Sequence, residues 1–421
     1  MTHRHVVFGF IAILLVASAS GQKKNPKTDY KRWGIPDPTK MSGTIPAQWR
    51  VLWTGDPQTE ATISWSTAQQ SKTNTVHYDT APRRGKTSAY KNKIAAAKNG
   101  KFTGAATFYH HARLKNLSPG TTCYFVLESD GKTSKEMHFK TAPKKDIPIK
   151  IVFGSDSRSG GGLINVIRMY LNHHQIAKLT DLDASVLCFA FGGDYVRDGT
   201  NFPQWNQWMS DQELITSPKG RILPYIPARG NHEAAGPLYE EIFDGAGEPG
   251  KNWYATQIGP RLGLLTLNSQ VNGEGEQLKF ISKTLAAMSK TNRWTAAQYH
   301  LALYPTAKYK GAPAFKMKWI AEFDKAGLAI AVESDGHVLK RTHLMRGNKK
   351  DPNGTLYVGD GGYGAPPRRP RPKDYHAFTK YEKAFYFIVE FHPDRLTYNC
   401  VSIDGKIVDT FTVKPKKALR K

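Results

Sequence analysis

The sequence predicts an α/β fold preceded by an all-β domain. Three observations carry this. Residues 149–345 alternate short apolar runs with helical stretches, the pattern of βα units. Residues 44–142 instead hold six short alternating segments separated by turn residues. Polar-tipped segments then follow the apolar runs in a fixed order: GSDSRSG, GGDYVRDG, RGNHEAAG, QYHLALYP and ESDGHVLKRTH. In an α/β sheet, the ends of buried strands are where a site gathers.

Taken in order, residues 1–20 read as a secretory signal. Arg4 makes a weakly basic start, VVFGFIAILLVA is the apolar core, and Ala17-Ser18-Ala19 is a cleavage site. The apolar run is short for a membrane span, so the mature chain is expected to be exported, periplasmic or secreted, with no stable span after cleavage. Residues 21–43 are a polar linker. Six segments follow: WRVLWTG, ATISWST, NTVHYDT, YHHARLKNL, TTCYFVLES and KEMHFKTA. They suggest a β-sandwich of the fibronectin type III kind over 44–142. KTAPKKDIP marks a boundary. Within 149–345, LINVIRMYLNHHQIAKL and EQLKFISKTLAAM are helical. The excursion 199–222, with Trp205 and Trp208, is expected to be a lid or substrate-facing loop. GDGGYGAPPRRPRP excludes a helix from 346–374, and FYFIVEFH, RLTYNCVSI and KIVDTFTV close 346–414 as antiparallel strands. There is no internal repeat.

Bulk properties narrow the function. The chain has 421 residues, 39% hydrophobic, which excludes disorder. Sixty Lys and Arg against 35 Asp and Glu give a net charge of +25, which attracts phosphate esters or other anions, anionic polymers included. No interleaving of aromatic and basic residues marks a nucleic-acid groove, so nucleic acid is not an expected partner. Cys123, Cys188 and Cys400 are too few for a disulfide framework and show no zinc spacing; a Cys123–Cys400 bridge stays open.

The chemistry sits in the polar-tipped segments. Asp156 after IKIVFGS and Asp194 after VLCFAFGG offer carboxylates. Alone, each is more often a turn or cap residue. Asn231 and His232 follow Arg229-Gly230; an amide oxygen is a neutral hard ligand, and an adjacent imidazole can face an anion. His300 and His337 end further apolar segments. Carboxylate, amide and imidazole together describe an oxygen- and nitrogen-rich metal centre. Two ions bridged by a carboxylate would clamp a phosphoryl group.

These segments, in this order, resemble the calcineurin-like metallophosphoesterases, and more closely the purple acid phosphatase branch in a bacterial variant. That pattern reads DxG, GDxxY, GNH(D/E), VxxH and GHxH. The resemblance implies a metallophosphoesterase β-sandwich flanked by helices, with two divalent ions (Mn, Zn or Fe). It implies that Asp156, Asp194, Asn231, His300, Asp335 and His337 are metal ligands, and that His232 lies near substrate. Two departures stand out. Arg158 replaces the glycine of DxG, and Arg197 falls where the tyrosine of GDxxY would be, Tyr195 being at the wrong offset. Without tyrosinate, divalent ions without colour are expected; Arg197 could neutralise Asp198, bind substrate phosphate or mark the loss of one metal site, so one ion or two stays open. The last motif aligns in two ways: Asp335 with His337, favoured because Glu333 and Lys340-Arg341-Thr342 then fall in register, or His337 with Leu339.

The resemblance implies an exported acid phosphatase-like hydrolase. It would cleave phosphate monoesters through a metal-bound hydroxide, with His232 serving the leaving oxygen and Arg158 and Arg197 holding phosphate oxygens. Lys308 and Lys310 fall in a region where relatives place substrate-facing residues. A phosphodiesterase or nucleotidase, or a non-catalytic binder of anionic polymers with a degenerate site, is the alternative.

Overall fold

The computed structural model describes residues 41–233, 236–307 and 312–416. The signal, nearly all of the linker, and Lys308 and Lys310 lie outside the described residues. Two sheets face each other. One orders its strands as Ile407–Val413, Leu396–Ser402, Phe385–Phe391, Ile149–Gly154, Val186–Phe191 and Tyr225–Pro227. The other runs Tyr254–Ile258, Leu262–Thr266, Trp294–Leu301, Ile330–Ser334, Thr355–Gly359 and Leu339–Arg346, with the short Lys349–Lys350 and His376–Lys380 at its edge. Ile149–Gly154, Val186–Phe191 and Tyr225–Pro227 are mutually parallel, as are Leu262–Thr266, Trp294–Leu301, Ile330–Ser334 and Thr355–Gly359.

The second sheet is covered on both faces, which is why its strands are apolar without alternation. Leu264, Ala296, Ile330, Val332, Leu356 and Val358 face the first sheet and join the main core. Their neighbours Leu265, Ala297, Ala331 and Tyr357 point the other way, onto Ile281, Leu285, Trp319 and Phe323 of helices Glu276–Thr291 and Lys316–Ala326. That is the period of two expected of strands, read out as two buried layers. Helix Leu163–Leu182 adds Met169 and Ile176 to the main core.

The amino-terminal region pairs Ala47–Leu52, Ala61–Thr67, Phe108–Leu114 and Lys98–Lys101 in one sheet. Asn74–Asp79, Thr122–Ser129, Met137–Lys140 and two short strands form the other. All six anticipated segments are strands; the additional Asn92–Ala95 and Lys98–Lys101 are exposed, lysine-bearing edges. Leu52 pairs in parallel with Tyr225, so one ten-stranded sheet runs through both regions.

One expectation is corrected and one open question is closed. Residues 202–212 form a helix, not a lid: Asn201 caps it by accepting from the Gln204 amide, Pro203 sits in its first turn, and Trp205 and Trp208 are fully buried against Tyr195 and Phe243. Phe202, Trp205, Trp208 and Met209 carry a helical apolar spacing. All three cysteines are buried and free, so Cys123 and Cys400 form no bridge. Among the described residues, no helix is long and apolar enough to cross a membrane.

Candidate metal centre

Five of the seven parallel strands deliver a candidate ligand at or just beyond the carboxyl end. Asp156 follows Ile149–Gly154, Asp194 follows Val186–Phe191, Asn231 follows Tyr225–Pro227, and Asp335 follows Ile330–Ser334. His300 lies near the end of Trp294–Leu301, at a register irregularity between Gln298 and Leu301 that re-aims the strand. The loops are laced together. Asp156 N donates to Gly193 O, Arg158 N to Asp194 O, and Ser159 N to Tyr195 O, at 2.9, 3.1 and 2.9 Å. Gly193 is required at its φ of +98°, where a Cβ would meet the Gly230 amide nitrogen at 2.4 Å.

Backbone strain concentrates here. Eleven non-glycine residues among those described have positive φ, and five of them are Asp156, Arg158, Asp194, Asp335 and His337. Such conformations persist where the surroundings over-determine them, which is typical of functional sites.

Two ligand clusters share Asp194. In one, Asp194, His300 and Asp335 converge; His300 Nε2 lies 3.2 Å from Asp194 Oδ1, 3.5 Å from Asp335 Oδ1 and 3.1 Å from Asn231 Oδ1. His300 Nδ1 donates to Gly192 O at 2.9 Å, which orients the ring so that Nε2 faces those oxygens. Three oxygens around one imidazole nitrogen call for positive charge, carried by the protonated ring or by an ion that takes the proton's place. In the other cluster, His337 Nε2 lies 3.1 Å from Asp156 Oδ1, while His337 Nδ1 donates to Pro366 O at 3.1 Å. Here Arg158 intrudes: its Nη2 lies 2.8 Å from Asp194 Oδ2 and 3.4 Å from His337 Nε2. The contact to Asp194 is ionic, not an aligned hydrogen bond; among the described residues Asp194 Oδ2 and Arg158 Nε have no hydrogen-bond partner.

The charges follow this geometry. Burial pulls His300 down, but Asp194 and Asp156 overcome it and hold the imidazole well above its usual range. Burial pushes Asp156 and Asp194 up, yet His300 leads the cations that hold both below the usual carboxylate range. The donor set around His300 fits a hard divalent cation. The set around His337 does not fit one without displacing Arg158, which keeps its charge in proteins.

His232 stands at the rim. Its Nδ1 donates to the Arg197 carbonyl and its Nε2 lies 4.0 Å from Asp194 Oδ2, so Nε2 is the ring atom left to face a ligand. Arg197 itself is exposed. Arg158, expected to hold substrate phosphate, instead turns into the ligand cluster. Tyr195 points away, donating to Phe191 O and Ala228 O at 3.3 and 3.0 Å. Leu339 is buried in the core, so the structure gathers Asp335 with His337, not His337 with Leu339.

Three residues without a role in the sequence reading support the site. Glu233 accepts the amides of Gly230, Asp194 and Tyr195 at 2.7, 2.8 and 2.9 Å. Burial, then the Asp194 charge, pushes its carboxyl up to about 7. Its signal was the acidic residue directly after Asn231-His232. Asp360 accepts the Gly336 amide at 3.2 Å, and burial raises it to about 7. Glu333 is buried with Lys340 and accepts the amide of Leu303, just after His300, at 2.7 Å. Beside Asn231, an open cleft of about 590 Å³ is lined by Arg229, Pro237, Glu240, Asn268 and Gln270.

Residues 46–141 match the family model described as the purple acid phosphatase N-terminal domain. A purple acid phosphatase from yellow lupin seeds superimposes with a TM-score of 0.71, covering 88% of this chain and 74% of that one at 22% identity. The chain has the metallophosphoesterase fold. PhoD shares this fold, with a TM-score of 0.65, 11% identity and coverage of 90% and 92%. In sequence, this metallophosphoesterase-fold chain is 24% identical over 361 residues to a probable inactive purple acid phosphatase of Arabidopsis thaliana, covering 73% of this chain and 57% of the plant protein. It is 26% identical over 282 residues to uncharacterised proteins of Mycobacterium tuberculosis, covering 56% of this chain and 51% of those. The chain thus spans about half the length of the curated relatives it matches.

Proposed function

We propose that this chain is an exported, metal-dependent phosphatase acting on phosphate monoesters. One observation carries the reading: Asp194, Asn231 and Asp335 bring oxygens within 3.5 Å of His300 Nε2, beside an open cleft and the outward Nε2 of His232. A divalent ion such as Mn, Zn or Fe, held by those four residues, supplies Lewis-acid charge and lowers the pKa of water. The protein's own groups do the rest. His232, anchored through Nδ1 to Arg197 O, holds a proton at Nε2 for the leaving oxygen. Arg197, exposed at the mouth, offers a fork to phosphate oxygens. Asn268 and Gln270 line the cleft that receives the alcohol portion. The net charge of +25 draws anionic esters inward. Export rests on the sequence of residues 1–20 alone.

The test is turnover of p-nitrophenyl phosphate against bis(p-nitrophenyl) phosphate after loading with Mn, Zn or Fe(II). Monoester turnover that vanishes in Asp194→Ala supports the reading. A diester preference moves it to a phosphodiesterase. No turnover with any ion removes the catalytic reading and favours a binder of anionic polymers, a reading to which the charged Arg158 inside the ligand cluster already lends weight.

A further inference from the structure

We infer that Arg158 is a built-in substitute for one of two metal ions, so that the site holds a single ion at Asp194, Asn231, His300 and Asp335. This inference rests on the metal-dependent reading above. The two clusters are alike in composition: each has the shared Asp194, a second carboxylate and an imidazole whose Nδ1 is spent on a backbone carbonyl. They differ in what lies between the ligands. On the His337 side a guanidinium nitrogen stands 2.8 Å from Asp194 Oδ2 and 3.4 Å from His337 Nε2. It supplies positive charge to the bridging carboxylate and a donor to the imidazole lone pair, the two things a bound cation would give.

The placement is fixed by the backbone and is not the swing of a surface side chain. Arg158 N donates to Asp194 O, the adjoining Ser159 amide to Tyr195 O, and the side chain is 12% exposed. Arg158 also adopts φ +54°, which suits glycine far better than arginine. The residue is held at a conformational cost with its charge buried against a carboxylate, so the site is built around that charge. A guanidinium cannot be deprotonated in a protein, so a divalent ion entering this cluster would have to expel it against Asp194. A fixed cation also cannot be chelated away, which makes half of the charge clamp independent of metal supply.

The experiment counts metal directly. Full-length protein is stripped with chelator, reloaded with Mn(II), desalted and measured by mass spectrometry, alongside Arg158→Gly, which the positive φ accommodates. Wild type should retain about one ion per chain, and Arg158→Gly about two, the complement of a bridged two-metal site. In wild type, His300→Ala should lose the ion and His337→Ala should keep it. Wild-type Mn(II) electron paramagnetic resonance needs no variant and should show an isolated ion. Two ions in wild type, a spin-coupled pair, or no gain in a folded Arg158→Gly overturns the inference. So does a wild type that binds none, which also removes the metal-dependent reading. Stoichiometry of one then two without turnover leaves the inference standing and defeats the phosphatase reading. Turnover by a two-ion wild type does the reverse.

Discussion

Glu233 Oε2 accepts the backbone amide of Asp194 at 2.8 Å, so the residue shared by both ligand clusters is held by a carboxylate that itself faces no ligand. The same carboxylate takes the amides of Tyr195 and Gly230. It therefore ties the loop after Val186–Phe191 to the loop after Tyr225–Pro227. Glu233→Ala strands three buried N–H donors at about 1–3 kcal/mol each before water enters. Denaturant unfolding should show a loss of about 3 kcal/mol or more, and Mn(II) titration a fall in affinity of about 10–100-fold. Glu233→Gln is no rescue, because its amide NH₂ would face an N–H donor. Unchanged affinity in a folded variant would show that Asp194 keeps its orientation without this grip.

His232 makes the opposite prediction. Its backbone amide donates to Asp194 Oδ1 at 2.9 Å, a bond that alanine keeps, while its side chain stands at the rim with Nδ1 on Arg197 O. His232→Ala should lower kcat by about 10²–10⁴-fold while metal content and unfolding midpoint stay at wild-type values. Loss of metal in this variant would make His232 a ligand and remove its assignment to the leaving group.

The candidate ligands were legible in the sequence because each ends a run of apolar residues, and strand ends are where α/β sheets place chemistry. Asp156, Asp194, Asn231 and Asp335 all emerge in this way. What was not legible depends on loops distant in sequence coming together. Arg158 reads as a free cation until the fold places it against His337, 179 residues away. Glu233 and Asp360 act on backbone amides, and an amide bond leaves no trace in residue type. The helix Phe202–Gln212 was different: its apolar spacing and Asn201-Phe202-Pro203 start were present, but two tryptophans in a polar stretch suggested a lid.

That helix supplies a test. Trp208 is fully buried and meets Tyr195, Trp205, Tyr225 and Phe243 edge-on. Trp208→Ala should cost about 3–5 kcal/mol by cavity formation. A lid residue would instead leave stability alone and change KM, so unfolding and kinetics measured on one sample separate the two roles.

The pair Glu333–Lys340 lies buried below the site, with Glu333 Oε1 also accepting Tyr299 Oη at 2.8 Å and Leu303 N at 2.7 Å. Lys340 Nζ reaches Tyr304 O at 2.6 Å, so the pair pins the chain that follows His300. Lys340→Met leaves a buried carboxylate without its cation and should cost about 3–5 kcal/mol. The double variant Glu333→Gln with Lys340→Met should recover much of that loss. Equal losses in the single and double variants would show that the lysine acts through packing and not through charge.

Asp211 gives a pH signature remote from the metal. It is buried in the helix Phe202–Gln212, with only Gln207 donating to its Oδ1 at 2.7 Å, and burial pushes its carboxyl from 3.8 up to about 8. The folded protein therefore keeps a proton that the unfolded chain releases. Below the unfolded value the contribution to stability is whole; it is lost as pH rises from 3.8 towards about 8. The amide of Asp211→Asn cannot titrate. The stability of wild type relative to Asp211→Asn should fall as pH rises across that window, by at most about 1.4 kcal/mol per pH unit. Urea denaturation of both proteins at several pH values measures the slope. A difference that is flat with pH would mean that Asp211 is ionised in the folded state, held by a partner beyond Gln207.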